Sequence, residues 1–451
     1  MNDPRPPAAE HARATIPATL AHPAALRFWL AVLLTGIGAG IGAAVLTRLL
    51  DLVQHIMWPA PGTLLQAGQA AGAWRHILVL LGAGLLTGAG QIVLRRLTSG
   101  NGIDITEAIW FRSGRLPAWR TLGSATLSVV LVGMGMSLGR EGAPKQAGAV
   151  IANAVSDRGR LSDEQRRLLV ACGAGAGMAA AYGVPLGGAL FALEVLRGVL
   201  ALRLVLPALL ASLVATAVAW LVLPDAPTYV IPAYPAAAPV IVWALLAGPI
   251  AGVVSVAYVR AIGWADANKP DGWRRLVYPA LALGLLGVVS IPFPQLLGNG
   301  RDVAQLAFVG QVAPLLLLAL VVLRPAATVL CMRSGAPGGL FTPSLALGAL
   351  LGGLLGHVWA SLWPGAPAGL YAVCGAAAVL AATTQGPISA VVLVMELTAR
   401  DRSFIVPLLL AVVTATLVAR SIEPRSIYDA RLTNEEVAAR QKAREPAAAP
   451  P

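Results

Sequence analysis

Charge is what this chain lacks most. Of its 451 residues, 12% are Asp, Glu, Lys or Arg, against about 25% in an ordinary soluble domain. With 57% hydrophobic residues and a mean hydropathy of +0.73, that scarcity excludes a soluble fold and identifies an all-α polytopic membrane protein. Cysteine is nearly absent. Cys172, Cys331 and Cys374 lie in or beside apolar runs without metal-ligand spacing, and read as small buried hydrophobes. The five histidines are scattered, and only His357 lies deep in an apolar run. No convergent nucleophile–base pair or ligand set is in view, so the chain is not expected to be an enzyme or to need a metal or cofactor. Period-2 alternation is missing, which excludes a strand barrel. The first 25 residues, rich in Pro, Ala and His with Asp3 and Glu10, have no basic region leading into a cleavage site, so no signal peptide is expected. The net charge of +12 comes from arginines mostly placed in short polar segments between apolar runs. That placement fits loop arginines that fix topology, not nucleic-acid binding.

Long unbroken apolar runs are also few. A helix needs about 20 residues to cross the hydrocarbon core. Runs such as 145–155, 168–181 and 387–397 fall short, and Gly or Pro interrupts most of the others. Some helices must therefore stop at depth, which is permitted only against protein or a cavity. Such breaks mark ion sites in transporters. Glycine, in contrast, is abundant, at 48 residues, and favours close helix contact in lipid.

An internal repeat divides the chain. Cys172-Gly173-Ala174-Gly175-Ala176 leads to Pro185 and then Glu194, and Cys374-Gly375-Ala376-Ala377-Ala378 leads to Pro387 and then Glu396. Cysteine to proline is 13 positions and proline to glutamate 9 positions in both copies. The expected organisation is a polar segment over 1–24, a transmembrane body over 25–435 with halves 25–222 and 231–435, and a disordered Ala/Pro-rich tail over 436–451. No soluble regulatory domain is expected after the last apolar run.

Three glycine-containing breaks precede apolar runs: Ser99-Gly100-Asn101-Gly102-Ile103-Asp104, Gly139-Arg140-Glu141-Gly142-Ala143-Pro144, and Gly338-Gly339-Leu340-Phe341-Thr342-Pro343. Helix starts facing a cavity present N–H groups to an anion. Distributed partial charge of this kind suits conduction; the bland alternative is three ordinary turns. Glu141 is the most informative residue. A carboxylate at depth is costly without a function or partner, and here it would compete with an anion for the same donors and exchange a proton. Tyr428 follows the last apolar run, as an anion donor or an interfacial anchor.

These motifs, in this order, resemble the CLC family of chloride channels and chloride/proton exchangers over residues 25–435. Gly139-Arg140-Glu141-Gly142 resembles the gating-glutamate motif, Gly100-Asn101-Gly102-Ile103-Asp104 the first anion motif, and Gly339-Leu340-Phe341-Thr342-Pro343 the second. The resemblance implies two inverted halves of about eighteen helices, several short or broken. It implies a homodimer with one pore per subunit in the lipid bilayer, and cytoplasmic termini; the compact chain suggests a bacterial inner membrane. It makes Glu141 the external gate and proton acceptor. Asn101 and Tyr428 bracket the central anion, with Gly102, Ile103, Arg140, Gly142, Leu340 and Phe341 as its remaining neighbours.

The departures from the family pattern matter as much. Val195 stands where proton-coupled members commonly carry a glutamate, and valine cannot carry a proton. Glu194 is adjacent, but successive helical positions point about 100° apart, so it is a relay or, more simply, a structural group. Asn101 replaces a usual serine and offers an N–H₂ donor. Asp104 replaces a usual proline, as a helix cap or a local repulsion. Lys145 follows a shifted Pro144. It would raise the local anion concentration, pair with Glu141 or Glu194, or snorkel to the interface. The expected function is chloride transport, channel-like or weakly proton-coupled. The alternative is chloride/proton antiport along a water-mediated inner path, and a minor one is another anion such as nitrate or fluoride.

Overall fold

The computed structural model of the chain describes residues 23–97, 104–234, 238–399 and 404–432, with 435 and 437. Asn101, Gly102 and Ile103, the 1–22 segment and nearly all of the tail lie outside the described residues. In chain order the helices of the first half are α1 (Pro23–Met57), α2 (Leu64–Ala70), α3 (Ala73–Leu97), α4 (Ile105–Phe111), α5 (Ala118–Gly133), α6 (Gly142–Arg158), α7 (Asp163–Tyr182), α8 (Pro185–Leu190) and α9 (Leu202–Trp220). The second half holds α10 (Ala238–Ala267), α11 (Arg274–Val289), α12 (Arg301–Phe308), α13 (Pro314–Arg333), α14 (Phe341–Leu362), α15 (Ala368–Thr384), α16 (Pro387–Thr398) and α17 (Ile405–Ile422). A π-helical turn, Phe191–Arg197, continues α8. Seven of the described helices are long and apolar enough to cross a membrane. The others are shorter or less apolar, as the interrupted runs require.

The repeat is visible in how helices touch. A Cβ added at Gly148 of α6 would collide with the carbonyl oxygen of Gly173 in α7, and one at Gly348 of α14 with that of Gly375 in α15. Gly36 and Gly40 of α1 meet the carbonyls of Ala211 and Ala215 in α9; Gly248 and Gly252 of α10 meet those of Ala411 and Ala415 in α17. Lipid offers no hydrophobic drive between helices, so such backbone approach supplies the packing. The same glycine-on-carbonyl contacts recur in both halves.

Helix ends follow local chemistry and then the repeat. Ser162 and Gln165 form a capping box at the start of α7, satisfying two otherwise orphaned N–H groups. α7 stops at Gly183, whose φ of +69° is left-handed, a conformation glycine adopts without penalty. The second half places Gln385 at the matching point, φ +58°. Its side chain and carbonyl accept hydrogen bonds from the Arg420 guanidinium at 2.9 and 3.0 Å, which offsets the strain of a non-glycine residue there.

Candidate functional site

The two glycine breaks of the hydrophobic body meet. Gly139 and Gly339 exchange N–H···O=C bonds of 2.8 Å in both directions, an antiparallel bridge joining the halves. Two residues after each bridging glycine the halves differ. The first half places Glu141 there, the second Phe341. α6 starts just after Glu141 and α14 at Phe341, each with a proline in its first turn, where no intrahelical donor is lost.

Glu141 does not cap its own helix. Its carboxylate crosses to α14 and is fully buried. Oε1 accepts the Phe341 N–H at 2.7 Å. Oε2 accepts the Thr342 hydroxyl at 3.1 Å, and the Tyr182 hydroxyl, 3.3 Å from Oε2 and 2.8 Å from the Thr342 hydroxyl, gives its one proton to one or the other. A Cβ on Gly139 or Gly339 would strike the carboxylate, so both glycines are required for its placement. A Cβ on Gly142 would press on the Gly339 nitrogen at 3.0 Å. The carboxylate thus sits at a helix N-terminus, against one main-chain donor and two hydroxyls, in a place built for negative charge. Leu340 is buried beside it as the residue preceding α14. The Arg140 guanidinium lies over the Tyr182 ring, 4.8 Å from its centroid.

Tyr428 is held by a tight turn. The Ser426 N–H and hydroxyl both donate to Asp429 Oδ2, at 3.2 and 2.8 Å, and the Ile427 N–H donates to the Thr383 carbonyl at the end of α15, 2.7 Å. Upstream, Arg425 and Arg260 donate to Glu423 at 2.7 to 3.1 Å. The Arg425 hydrogen bonds, with help from Arg260, hold the Glu423 carboxyl down to about 2. The buried Tyr428 ring packs edge-on against Phe191 of the π turn, 5.8 Å between centroids.

Lys145 departs from two of its three readings. It neither snorkels nor forms an ion pair with Glu141 or Glu194. Its side chain is buried, 5% exposed. Nζ lies 3.4 Å from the Tyr428 hydroxyl, 4.8 Å from the Tyr428 ring centroid and 5.0 Å from that of Phe191. The first turn of α6 points this residue at the tyrosine, away from lipid and from the carboxylates.

Glu194 has backbone partners. Its oxygens accept the N–H groups of Ile388 and Ser389 at the start of α16, at 3.1 and 2.6 Å. Glu396 returns the contact, accepting from Leu186 and Gly187 at the start of α8 at 3.0 and 2.6 Å. The proline–glutamate spacing of the repeat is therefore a reciprocal capping device about a pseudo-two-fold axis. Val195, beside Glu194, is buried and faces Gly386, where a Cβ would come within 2.7 Å of its Cγ2. Asp104 caps α4, accepting the Thr106 N–H at 2.8 Å, and pairs with Arg431 at 3.4 Å. Arg431 also reaches Asp266 of α10 at 3.2 Å, tying the segment after Tyr428 to both halves.

Three residues of this site escape sequence reasoning as ligands: Tyr182, Thr342 and Phe191. Thr342 stands inside the Gly338–Pro343 break, and Tyr182 is the polar exception in the Ala/Gly-rich stretch of α7. That exception is the available signal. Nothing in the sequence marks Phe191 beyond its apolarity.

The chain is similar to proteins named as chloride channels and chloride/proton exchangers. The family model described as voltage gated chloride channel matches residues 83–420. A ClcB-like protein of Ralstonia nicotianae, named as a chloride channel protein, is 31% identical over 412 residues, 86% of this chain and 93% of its own length. The H(+)/Cl(-) exchange transporter ClcA of Vibrio parahaemolyticus is 31% identical over 382 residues, 80% of either chain. Among solved structures, a slow cyanobacterial Cl-/H+ antiporter superposes with a TM-score of 0.78 at 23% identity, covering 93% of this chain and 98% of its own.

Proposed function

Because the chain belongs to the voltage-gated chloride channel, or CLC, family of membrane anion transporters, we propose that it moves chloride along a path closed by Glu141, channel-like or only weakly coupled to protons. The observation that carries this reading is the position of the Glu141 carboxylate on the Phe341 N–H and the Tyr182 and Thr342 hydroxyls. These are donors that a small anion would also use. Ionised, Glu141 holds them by charge-assisted bonds. Protonated, it loses the charge that makes those bonds strong, and an anion takes its place.

Weak coupling rests on the inner side. Val195 has no titratable group, and the two oxygens of Glu194 are each held by a main-chain N–H of α16. A relay role for Glu194 would break a cap that Glu396 matches in the other half. Chloride/proton antiport is the second reading, favoured by the ClcA relative's being an H(+)/Cl(-) exchange transporter; it requires a water-mediated path past Val195. The proposal extends to a homodimer with one pore per subunit, in a bacterial inner membrane with cytoplasmic termini.

The test is simultaneous chloride and proton flux from liposomes that contain only this protein, under a chloride gradient and a potassium/valinomycin clamp. Chloride release without uphill proton movement is expected. Uphill proton movement driven by chloride would establish antiport instead. Nitrate and fluoride gradients in the same vesicles rank the anions, with chloride expected first. Absence of any anion flux would overturn the reading altogether.

A further inference from the structure

A buried ammonium costs several kcal/mol in a low-dielectric interior unless an opposite charge or a full set of acceptors meets it. Among the described residues no carboxylate forms an ion pair with Lys145; Glu141 and Asp104 act on it only from beyond contact distance, and its set of acceptors is incomplete. Its one hydrogen-bond partner there is the Tyr428 hydroxyl at 3.4 Å, and a hydroxyl oxygen is a neutral acceptor. The Phe191 and Tyr428 rings, 5.0 and 4.8 Å from Nζ, add cation–π attraction. Three N–H bonds leave the ammonium, and Tyr428 takes one. The ammonium is therefore short of negative charge, in a protein that carries anions.

We propose that Lys145 holds a resident small monovalent anion against Tyr428, and that this fixed full charge sets how tightly the anion is held and how slowly it leaves. The inference rests on the transport reading above and deepens it. The partial charges of helix starts let an ion enter and leave, whereas a full charge at close range retains it. With Nζ donating to the Tyr428 oxygen, the tyrosine hydrogen is turned outward, and the hydroxyl and the ammonium then converge on one acceptor. The anion neutralises Lys145, and Lys145 slows the anion. A divalent anion would bring surplus charge into the same apolar surround, so halide-sized monovalent ions fit best.

Purified wild-type protein, Lys145→Met and Lys145→Gln are titrated with sodium chloride against an isethionate background by calorimetry, and reconstituted for chloride flux. Close charge pairs in desolvated sites couple strongly, so loss of the ammonium is expected to weaken chloride binding by about tenfold or more, about 1.4 kcal/mol, and to raise the flux per protein. Glutamine keeps a donor but no charge, and is expected to weaken binding with methionine. Wild-type crystals equilibrated in sodium bromide supply a measurement that needs no variant: an anomalous peak in contact with Lys145 Nζ is expected. Chloride binding that is unchanged or tighter in Lys145→Met, or a bromide map without density at Nζ, overturns the proposal. Wild-type flux in the same vesicles reports separately on the transport reading, which fails only if no anion moves.

Discussion

Glu194 and Glu141 are the same side chain in the same protein, the first half-buried and the second fully buried, each bonded to the other half of the chain. Glu194 is one member of a matched pair. Its oxygens accept two main-chain N–H groups of α16 while Glu396 does the same for α8. Glu141 has no counterpart, because the second half puts Phe341 at the matching place beyond the Gly139–Gly339 bridge. It lies against one main-chain N–H and two rotatable hydroxyls. Two backbone donors from a packed helix hold a carboxylate in one geometry. One backbone donor and two side-chain donors can hand it over to an ion. Symmetry pairs Glu194 with Glu396 and leaves Glu141 outside the pairing, which is where the proposed gate falls.

The comparison breaks most severely at Glu141. Glu141→Gln keeps the shape but removes the charge-assisted bonds, a difference of about 1–2 kcal/mol in gate occupancy. Chloride flux is expected to rise by about fivefold or more and to lose its pH dependence, read in the same liposome assay across pH. Val195→Glu restores a titratable group next to Glu194. It is expected to add measurable proton movement against its gradient under a chloride gradient, and no change in coupling would refute the inner position as the missing element. Glu194→Gln and Glu396→Gln should behave as twins. Each weakens one side of the reciprocal cap, at about 1–2 kcal/mol, and lowers thermal stability to a similar degree without altering coupling. A coupling defect in Glu194→Gln alone would make Glu194 a proton relay.

Smaller effects sharpen the picture. Tyr182→Phe and Thr342→Val each delete one hydroxyl donor to Glu141, worth about 1 kcal/mol. Flux should rise a few-fold in each, and less than additively in the double variant, since the two hydroxyls also lie within bonding distance of each other. The smallest effect belongs to Glu423. Its folded value of about 2 lies below the ordinary 4.5, with Arg425 and Arg260 as the cause. The stability it contributes is therefore full above 4.5 and is lost as pH falls through about 2. The melting-temperature gap between wild type and Glu423→Gln should shrink over that window and stay constant above it.

Composition and spacing by themselves determined the membrane class, the interrupted helices and the two-fold division, and singled out Glu141 as the candidate gate, because each follows from local rules. Low charge dictates lipid, Gly and Pro dictate where helices stop, and equal spacings dictate equal folds. The cysteine–proline–glutamate spacing marked Glu194 and Glu396 as equivalents, but their mutual capping joins positions 195 and 209 residues apart. Tertiary structure alone decided that Tyr182 and Thr342 cradle Glu141. It alone turned Lys145 from lipid and carboxylates toward Tyr428 and Phe191. The physical reason is direction. A sequence states which groups exist and how far apart they lie along the chain, whereas the close crossings of helices at Gly148–Gly173 and Gly348–Gly375 decide what each side chain faces.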